Sequence, residues 1–499
     1  MIPSPNQEAI YSSFTSTQSN LLIQAVAGSG KTTTLLELIG LCEFRVLLLA
    51  FNKSIQEEVQ NKIEERGYIN GKAMTIHALG LSSISNHYGS KNVRVNKNKN
   101  WDLLKNLEKY NKRLFKSLIW EEKAKVNITL MEMNDVSRLY MTNEIQEIFR
   151  YMNEMDKFYF EHASLKDLWQ EFLTIREQTY QDKIEIDFID MIYLPVRNKL
   201  VIPICPYYLF IDEVQDLNLA QHQFIDLLVS QGDIQKWIAV GDRRQSIYGF
   251  SGAFGSSFDL FKDKENTVQL PLDVCYRCPS LIIDEANKVY NVMQGFKQEE
   301  GIVNNVDNIY DIQDGSMVIC RNTNPLIDLY FQLLAQNKKV YLKGEDILGS
   351  ITKFLKPYMY KTVEETRNKL TLELKRLEEI PNKSDDERFK YFRLKQNFSN
   401  FVLLISNIRI DNDKIEVLLQ SLNNMFNEIS DKDAISLCTI HKSKGLEADI
   451  VYILDEYLIP SKFAKSPMQL EQERNLKYVA RTRAKKELYY LNLGNAEDN

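Results

Sequence analysis

Short apolar runs alternate with helical patterns along much of this chain. Residues 20–26, 45–51, 207–211 and 236–240 are nearly continuous in Leu, Ile, Val, Ala and aromatic side chains. Runs this short, without polar alternation, read as strands buried on both faces of a parallel sheet. Helical periodicity follows several of them, first over 32–39. A second set of runs, at 316–321, 339–342, 434–438 and 450–454, predicts another sheet of the same kind, closed by a last helix that carries Arg483. The pattern therefore predicts an α/β protein with two parallel-sheet lobes. One lobe is built from 1–86 and 184–270, the other from 271–350 and 432–499. Two stretches interrupt the lobes, 87–183 and 351–431, and both are mainly helical in pattern. In the second, Leu370, Leu374 and Leu377 form an apolar stripe. The segment from Pro381 to Asp386 breaks that stretch into two main helices.

Length and composition agree with this picture. The 499 residues are enough for about three to four domains. With 44% hydrophobic and 26% charged residues the chain reads as globular. No apolar run approaches the roughly 18 residues of a membrane span. The opening Met1-Ile2-Pro3-Ser4 lacks the basic start and apolar stretch of a signal peptide, so a cytoplasmic location and no membrane partner are expected. The six cysteines (Cys42, Cys205, Cys275, Cys278, Cys320 and Cys438) read as reduced core residues, because Cys275 and Cys278 have no further metal ligands close in sequence. A net charge of −6 argues against indiscriminate nucleic-acid binding but leaves room for a local basic track. Residues 91–125 are such a track, with Trp101, Tyr110 and Trp120 interleaved. They fit either a strand- or duplex-contacting surface or a solvated helix face over core aromatics.

Two segments carry recognisable chemistry. Ala25-Val26-Ala27-Gly28-Ser29-Gly30-Lys31-Thr32 lies between a predicted strand and a predicted helix, the context of a phosphate-binding loop. Its glycines let backbone N–H groups approach phosphates, and the helix N-terminus adds favourable partial charge. Lys31 can reach the β- and γ-phosphates of ATP, and the Thr32 hydroxyl can ligate Mg2+. Ala27, Ser29 and Thr33 complete the cradle. Downstream, the predicted strand 207–211 ends in Asp212-Glu213-Val214-Gln215-Asp216. Asp212 there would bind Mg2+, and Glu213 would orient and deprotonate an attacking water. Taken singly, a Gly turn or an acidic pair is commonly a cap or solvated charge; their joint order is what carries the reading.

Further segments follow in a fixed order: Phe51-Asn52-Lys53, Thr75-Ile76-His77 after another short predicted strand, Gly241-Asp242-Arg243-Arg244-Gln245-Ser246-Ile247-Tyr248, Tyr276-Arg277, Thr439-Ile440-His441-Lys442-Ser443-Lys444-Gly445-Leu446-Glu447, and Tyr478-Val479-Ala480-Arg481-Thr482-Arg483-Ala484. The set resembles the UvrD/Rep-like superfamily 1A DNA helicases over almost the whole chain. That resemblance implies two RecA-like lobes of the P-loop NTPase class, each with a helical insertion, the second insertion being reduced. It implies that Gln7 reads the adenine edge and Tyr276 stacks on the base. Gln245 senses the γ-phosphate, Arg277 and Arg483 act as arginine fingers, and Glu447 contacts the ribose. It places Phe51, Asn52, Lys53, Thr75, His77, Tyr248, Phe250, Thr439 and His441 against single-stranded DNA. Residues 186–191 resemble the family's segment leading into the acidic strand. The chain departs from the family at Gly249, Ser251 and Gly252, where basic residues are frequent. It also departs at Arg481, where a hydrophobic residue is common, and at Thr33, where an arginine is frequent.

The implied activity is ATP-dependent 3′→5′ helicase or translocase action on single-stranded DNA and single-strand/duplex junctions. The implied setting is replication, repair or recombination, with room for an accessory protein that activates unwinding. The reduced second insertion keeps an alternative open, a DNA-stimulated ATPase subunit of a defence or recombination complex that unwinds little. A transporter-type P-loop ATPase is disfavoured, because no Leu-Ser-Gly-Gly-Gln-like signature occurs.

Overall fold

The structure is a computed structural model that describes residues 3–493 except 156, 158–159, 180–183, 233, 250–251, 253–255, 344–361, 381–390, 392–393, 396–397, 399–400, 403–404, 407–413 and 426–430. The chain folds into two compact units. One comprises Met1–Tyr276, Val292–Gln294 and Lys465–Asn475; the other comprises Arg277–Asn291, Gly295–Ala464 and Leu476–Asn499.

The first unit is built on six strands: β1 (Asn20–Ala25), β2 (Val46–Ala50), β3 (Gly71–Thr75), β4 (Tyr208–Ile211), β5 (Lys236–Gly241) and β6 (Thr267–Leu272). They pair in the order β3-β2-β4-β5-β1-β6, and every pairing is parallel. Successive side chains of a strand point to opposite faces, and here both faces are covered. Leu21, Ile23, Leu48, Phe210, Ile238 and Val240 pack on one side, while Leu22, Leu47, Leu49, Leu209, Ile211 and Ala239 pack on the other. The expected continuous apolar runs are thus those of a two-sided parallel sheet. β6 was not legible as a strand, because five of its six residues are not fully buried and Pro271 lies within it. It pairs with β1, so Pro271 belongs to the first sheet rather than opening the second lobe.

The first insertion forms a helical body with its own core. Helices Lys99–Tyr110, Lys112–Ser117, Trp120–Leu139, Ile145–Glu154 and Leu165–Gln178 enclose Leu103, Leu107, Phe115, Leu130, Met133, Trp169 and Phe172. A short parallel pair, Val93–Val95 with Ile184–Ile186, ties its entry to its exit. Buried charges fasten it further. Arg138, fully buried, meets Asp187 at 2.6 Å, Asp135 at 2.8 Å and Asp190 at 2.9 Å, and Lys99 also pairs with Asp190. Asp187 and Asp190 lie in the segment singled out at 186–191.

The second unit holds a second parallel sheet: β7 (Ile302–Val306), β8 (Met317–Cys320), β9 (Val340–Leu342), β10 (Ile435–Thr439), β11 (Ala448–Leu454) and β12 (Ala484–Leu491), in the order β7-β12-β11-β8-β10-β9. The four expected strands are present. β7 and β12 were missed, since polar residues interrupt the apolar run in both. The last helix, Pro467–Arg481, stops two residues short of Arg483, which instead leads directly into β12.

In the second insertion, Leu370 and Leu377 of the helix Val363–Glu378 are buried, with Leu374 partly buried beside them. They share one core with Val318, Leu326, Leu342 and Leu437 of the sheet and its covering helix. Among the described residues this insertion therefore packs as part of the lobe, unlike the first. The expected break at residues 381–386 lies outside the described residues. Cys275, Cys278, Cys320 and Cys438 are buried thiols, but Cys42 is half-buried and Cys205 is exposed, which corrects the core reading for those two. Among the described residues, no helix is long and apolar enough to cross a membrane.

Candidate nucleotide site and nucleic-acid residues

The carboxyl edge of the first sheet gathers most of the predicted residues, as open parallel sheets do. β1 runs into a loop in which Gly28 has φ 69° and Gly30 φ 80°, left-handed conformations that a side chain resists. The helix Lys31–Gly40 starts immediately afterwards. Ala27 and Ser29 are buried, and the Ser29 hydroxyl has no hydrogen-bond partner among the described residues. A buried, unsatisfied hydroxyl beside a helix N-terminus that has no side-chain cap fits a bound phosphate. Thr32 and Thr33 are half-buried at the start of that helix.

Gln7 and Tyr276 meet at the same loop. The Tyr276 hydroxyl donates to Gln7 Oε1 at 3.3 Å, and the Tyr276 N–H donates to the Gly28 carbonyl at 2.9 Å. Gln7 also closes the capping box of the first helix, Pro5–Ser16, through Ser4, and it donates to Thr34 Oγ1 at 3.1 Å. A Cβ at Gly30 would lie 3.7 Å from Gln7 Nε2 and 3.9 Å from the Tyr276 ring. The two residues expected at the base thus flank the phosphate loop.

A chain of hydrogen bonds crosses the sheet edge from this loop. Lys31 Nζ lies 2.6 Å from Glu213 Oε1. Gln215 Nε2 donates to Glu213 Oε2 at 2.5 Å, and Gln215 Oε1 accepts from the Asp242 N–H at 3.0 Å. Gln245 Nε2 donates to Asp242 Oδ2 at 2.8 Å. Gly241 makes the crossing possible, because a Cβ there would sit 2.3 Å from Gln215 Oε1. Glu213 itself holds φ 52° and ψ 44°, an uncommon backbone state for a residue with a side chain. Burial, with the Glu213 charge, pushes the Asp212 carboxyl up to about 7 against the opposing pull of Lys31. Burial works against the Lys31 ammonium, but the Glu213 and Asp212 carboxylates outweigh it and hold its pKa above the usual lysine range. A dication at Asp212 would complete this excess of buried carboxylate, so the residues fit Mg2+ held by Asp212 and Thr32.

Residues expected against DNA line the same edge beyond β2 and β3. Phe51 stacks on Tyr248, with ring centres 5.7 Å apart and planes 11° from parallel. Asn52 and Thr75 cap the helices Lys53–Glu65 and Ile76–Tyr88 through their side chains, so their side-chain oxygens are engaged by backbone. Lys53 is largely exposed, 3.4 Å from Glu57. His77 stacks on Phe188 at 4.2 Å, and burial pushes its imidazole down to about 4. Phe250 lies outside the described residues. On the first insertion, Trp101 and Tyr110 are exposed rather than core, alongside exposed Lys105, Lys109, Lys112, Arg113 and Lys116. This removes the buried-aromatic reading of those two residues. The Trp120 side chain lies outside the description.

In the second unit, Arg277 Nε donates to Glu447 Oε2 at 2.7 Å, and its Nη1 donates to the Thr482 carbonyl at 3.2 Å. Arg483 is 1% exposed. Its Nε donates to the Val479 carbonyl at 2.9 Å, Nη1 to the Leu446 carbonyl at 3.2 Å and Nη2 to Thr482 Oγ1 at 3.1 Å. Thr439 caps the helix Ile440–Ser443, and burial together with Arg321 and Lys444 pushes His441 down to about 3.

The model of the UvrD/REP helicase N-terminal domain matches residues 5–266, and that of the UvrD-like helicase C-terminal domain matches 435–491. The chain belongs to the UvrD/REP helicase family. Among curated UvrD/REP relatives, the putative ATP-dependent DNA helicase YjcD of Bacillus subtilis is 23% identical, covering 95% of this chain and 77% of its own length. The ATP-dependent DNA helicase Rep of Buchnera aphidicola subsp. Schizaphis graminum is also 23% identical, covering 94% and 90%. Rep of Buchnera aphidicola subsp. Baizongia pistaciae is 27% identical over 53% of this chain and 40% of its own length. Across several such relatives, the chain spans about half of their length.

Within this UvrD/REP fold, three residues at the site were not singled out from the sequence. Gln215 and Asp242 bridge Glu213 to Gln245, and Phe188, 63% exposed, covers His77. Gln215 and Asp242 stand inside segments already marked, but only the parallel β4–β5 pairing brings them together. Arg481, the polar departure, is accommodated by a two-pronged pair with Glu456 at 3.0 and 3.2 Å and by the Glu285 carbonyl at 2.8 Å.

Proposed function

We propose that this chain is an ATP-driven DNA motor, an ATP-dependent 3′→5′ helicase or single-stranded DNA translocase that hydrolyses ATP to ADP and phosphate. The observation that carries the reading is the hydrogen-bonded chain Lys31–Glu213–Gln215–Asp242–Gln245, which joins the phosphate loop to the segment ending in Tyr248. Family membership and the names of the relatives, Rep and YjcD among them, support it.

In this reading Gln7 and Tyr276 hold the adenine, while Ala27, Gly28, Ser29, Gly30, Lys31, Thr32 and Thr33 cradle the phosphates. Thr32 and Asp212 would hold Mg2+, which would supply charge neutralisation at the phosphate oxygens. Glu213 orients and deprotonates the attacking water. Arg277 and Arg483 stabilise the charge that spreads over the transferring group, and Glu447 contacts the ribose. Gln245 relays the state of the γ-phosphate toward Tyr248. Phe51, Tyr248, Phe250 and His77 provide faces on which bases stack without sequence being read. Asn52, Lys53, Thr75, Thr439 and His441 touch the strand backbone. Residues 1–86 with 184–276 and 277–350 with 432–499 make the two motor lobes, the boundary lying past Pro271 because β6 belongs to the first sheet, and 87–183 and 351–431 make the insertions. The setting is cytoplasmic replication, repair or recombination.

One observation favours a second reading, a DNA-stimulated ATPase that displaces little strand without an accessory protein. The described part of the second insertion packs into its lobe's core and has no separate core of its own. Hydrolysis and strand displacement separate the two readings. ATP turnover stimulated by single-stranded DNA, with displacement of a 3′-tailed but not a 5′-tailed duplex, is the expected result. Stimulation without displacement supports the second reading. No stimulation by any DNA overturns both.

A further inference from the structure

Arg277 and Arg483 are held by the same two short segments. Glu447 pairs with Arg277, and the preceding carbonyl, that of Leu446, accepts from Arg483. Thr482 repeats the arrangement: its carbonyl accepts from Arg277 at 3.2 Å, and its hydroxyl oxygen accepts from Arg483 Nη2 at 3.1 Å. That hydroxyl is fixed in its turn. It donates to the carbonyls of Tyr478 and Val479, each at 3.0 Å, at the end of the helix Pro467–Arg481. A threonine hydroxyl has one hydrogen and two lone pairs. With the hydrogen committed to the helix end, a lone pair is left to face the guanidinium. Thr482 is fully buried, so no water replaces this contact.

We infer that Thr482 is a positioning residue that fixes the direction of the Arg483 guanidinium. The inference rests on the catalytic reading of Arg483 proposed above. A side chain with the same shape but no oxygen leaves Nη2 with one acceptor fewer in a group that is 1% exposed. The guanidinium then turns toward other acceptors, and its placement for transition-state charge is lost while ground-state nucleotide binding is not.

The test measures single-stranded-DNA-stimulated ATP hydrolysis by the full chain. Thr482→Val is expected to lower kcat about tenfold with KM for ATP changed less than about twofold. Thr482→Ser, which keeps the hydroxyl, is expected to return kcat to within about twofold of the parent. In an Arg483→Ala background, Thr482→Val is expected to change kcat by less than about twofold, because its target is gone. A parental kcat in Thr482→Val beside a slow Arg483→Ala variant overturns the positioning role alone. The same loss from Thr482→Val in both backgrounds overturns it too, since the damage is then general. Parental turnover in Arg483→Ala removes the catalytic reading, and this inference with it.

Discussion

Lys31 and Glu213 are paired at the carboxyl edge of the first sheet, with Nζ 2.6 Å from Oε1. The ammonium proposed to meet the terminal phosphates is thereby engaged by the carboxylate proposed to activate water. On the proposed roles, phosphates arriving at the loop would compete with Glu213 for Lys31, and their binding would release the carboxylate to act on water. Each half of this exchange has a measurable consequence.

Glu213→Gln removes the competing charge and the base together. Nucleotide is expected to bind at least as tightly as in the parent, while kcat falls by about 10²–10⁴. Lys31→Ala is expected to lose both binding and turnover, because the phosphates lose their cation. Fluorescent-nucleotide titration beside steady-state hydrolysis reads both, and weaker binding in Glu213→Gln would contradict the competition.

Arg138 tests how the first insertion is fastened. Burial alone would raise the Asp190 carboxyl, but Arg138 and Lys99 outweigh it and hold it below the usual range. Arg138→Leu leaves Asp187 and Asp190 without their main buried cation. A loss of about 3–5 kcal/mol in unfolding free energy is expected, read by urea denaturation. A loss within about 0.5 kcal/mol would mean that the cluster contributes little.

His222 gives a pH signature. It is buried against Ser257 Oγ at 2.7 Å, and burial, aided by the Lys264 charge, pushes its imidazole down to about 3 from 6.5. Below pH 6.5 the unfolded chain takes up a proton that the folded chain refuses, so stability falls as pH drops from 6.5 toward 3. In His222→Gln the slope of stability with pH in that window should be shallower by up to one proton, about 1.4 kcal/mol per pH unit. Equal slopes in parent and variant between pH 6 and 5 would remove His222 as a source of acid lability.

Phe51, stacked on Tyr248 at the sheet edge, tests the DNA face. Phe51→Ala should weaken single-stranded DNA binding by about 1–3 kcal/mol, whatever the base sequence. Lys105→Ala with Lys109→Ala, on the exposed face of the first insertion, should instead act through charge. If that face meets duplex, the salt slope of binding to a tailed duplex should drop by about 0.9 per lysine. Fluorescence anisotropy across a salt series separates the two effects.

Much of this protein is written locally. The phosphate loop, the acidic pair after β4 and eight of the twelve sheet strands follow from apolar runs, glycines and their order, because a strand buried on both faces needs a continuous apolar sequence, and β3 was expected as the short strand before Thr75-Ile76-His77. β6, β7 and β12 escaped that logic: they lie toward sheet margins and polar residues interrupt their apolar runs, and long-range pairing compensates for a weak local signal. The link from Lys31 to Gln245 was decided only by tertiary structure, since the parallel pairing of β4 and β5 sets Gln215 against Asp242 across 27 residues of chain. The same holds for Trp101 and Tyr110, whose exposure depends on which helix face met the insertion core. It holds for Arg483 as well: its residue type was legible, but one of its acceptors, the Leu446 carbonyl, lies 37 residues away along the chain. Residue identity supplies chemical capacity, whereas direction and partners are set by the packing of distant segments.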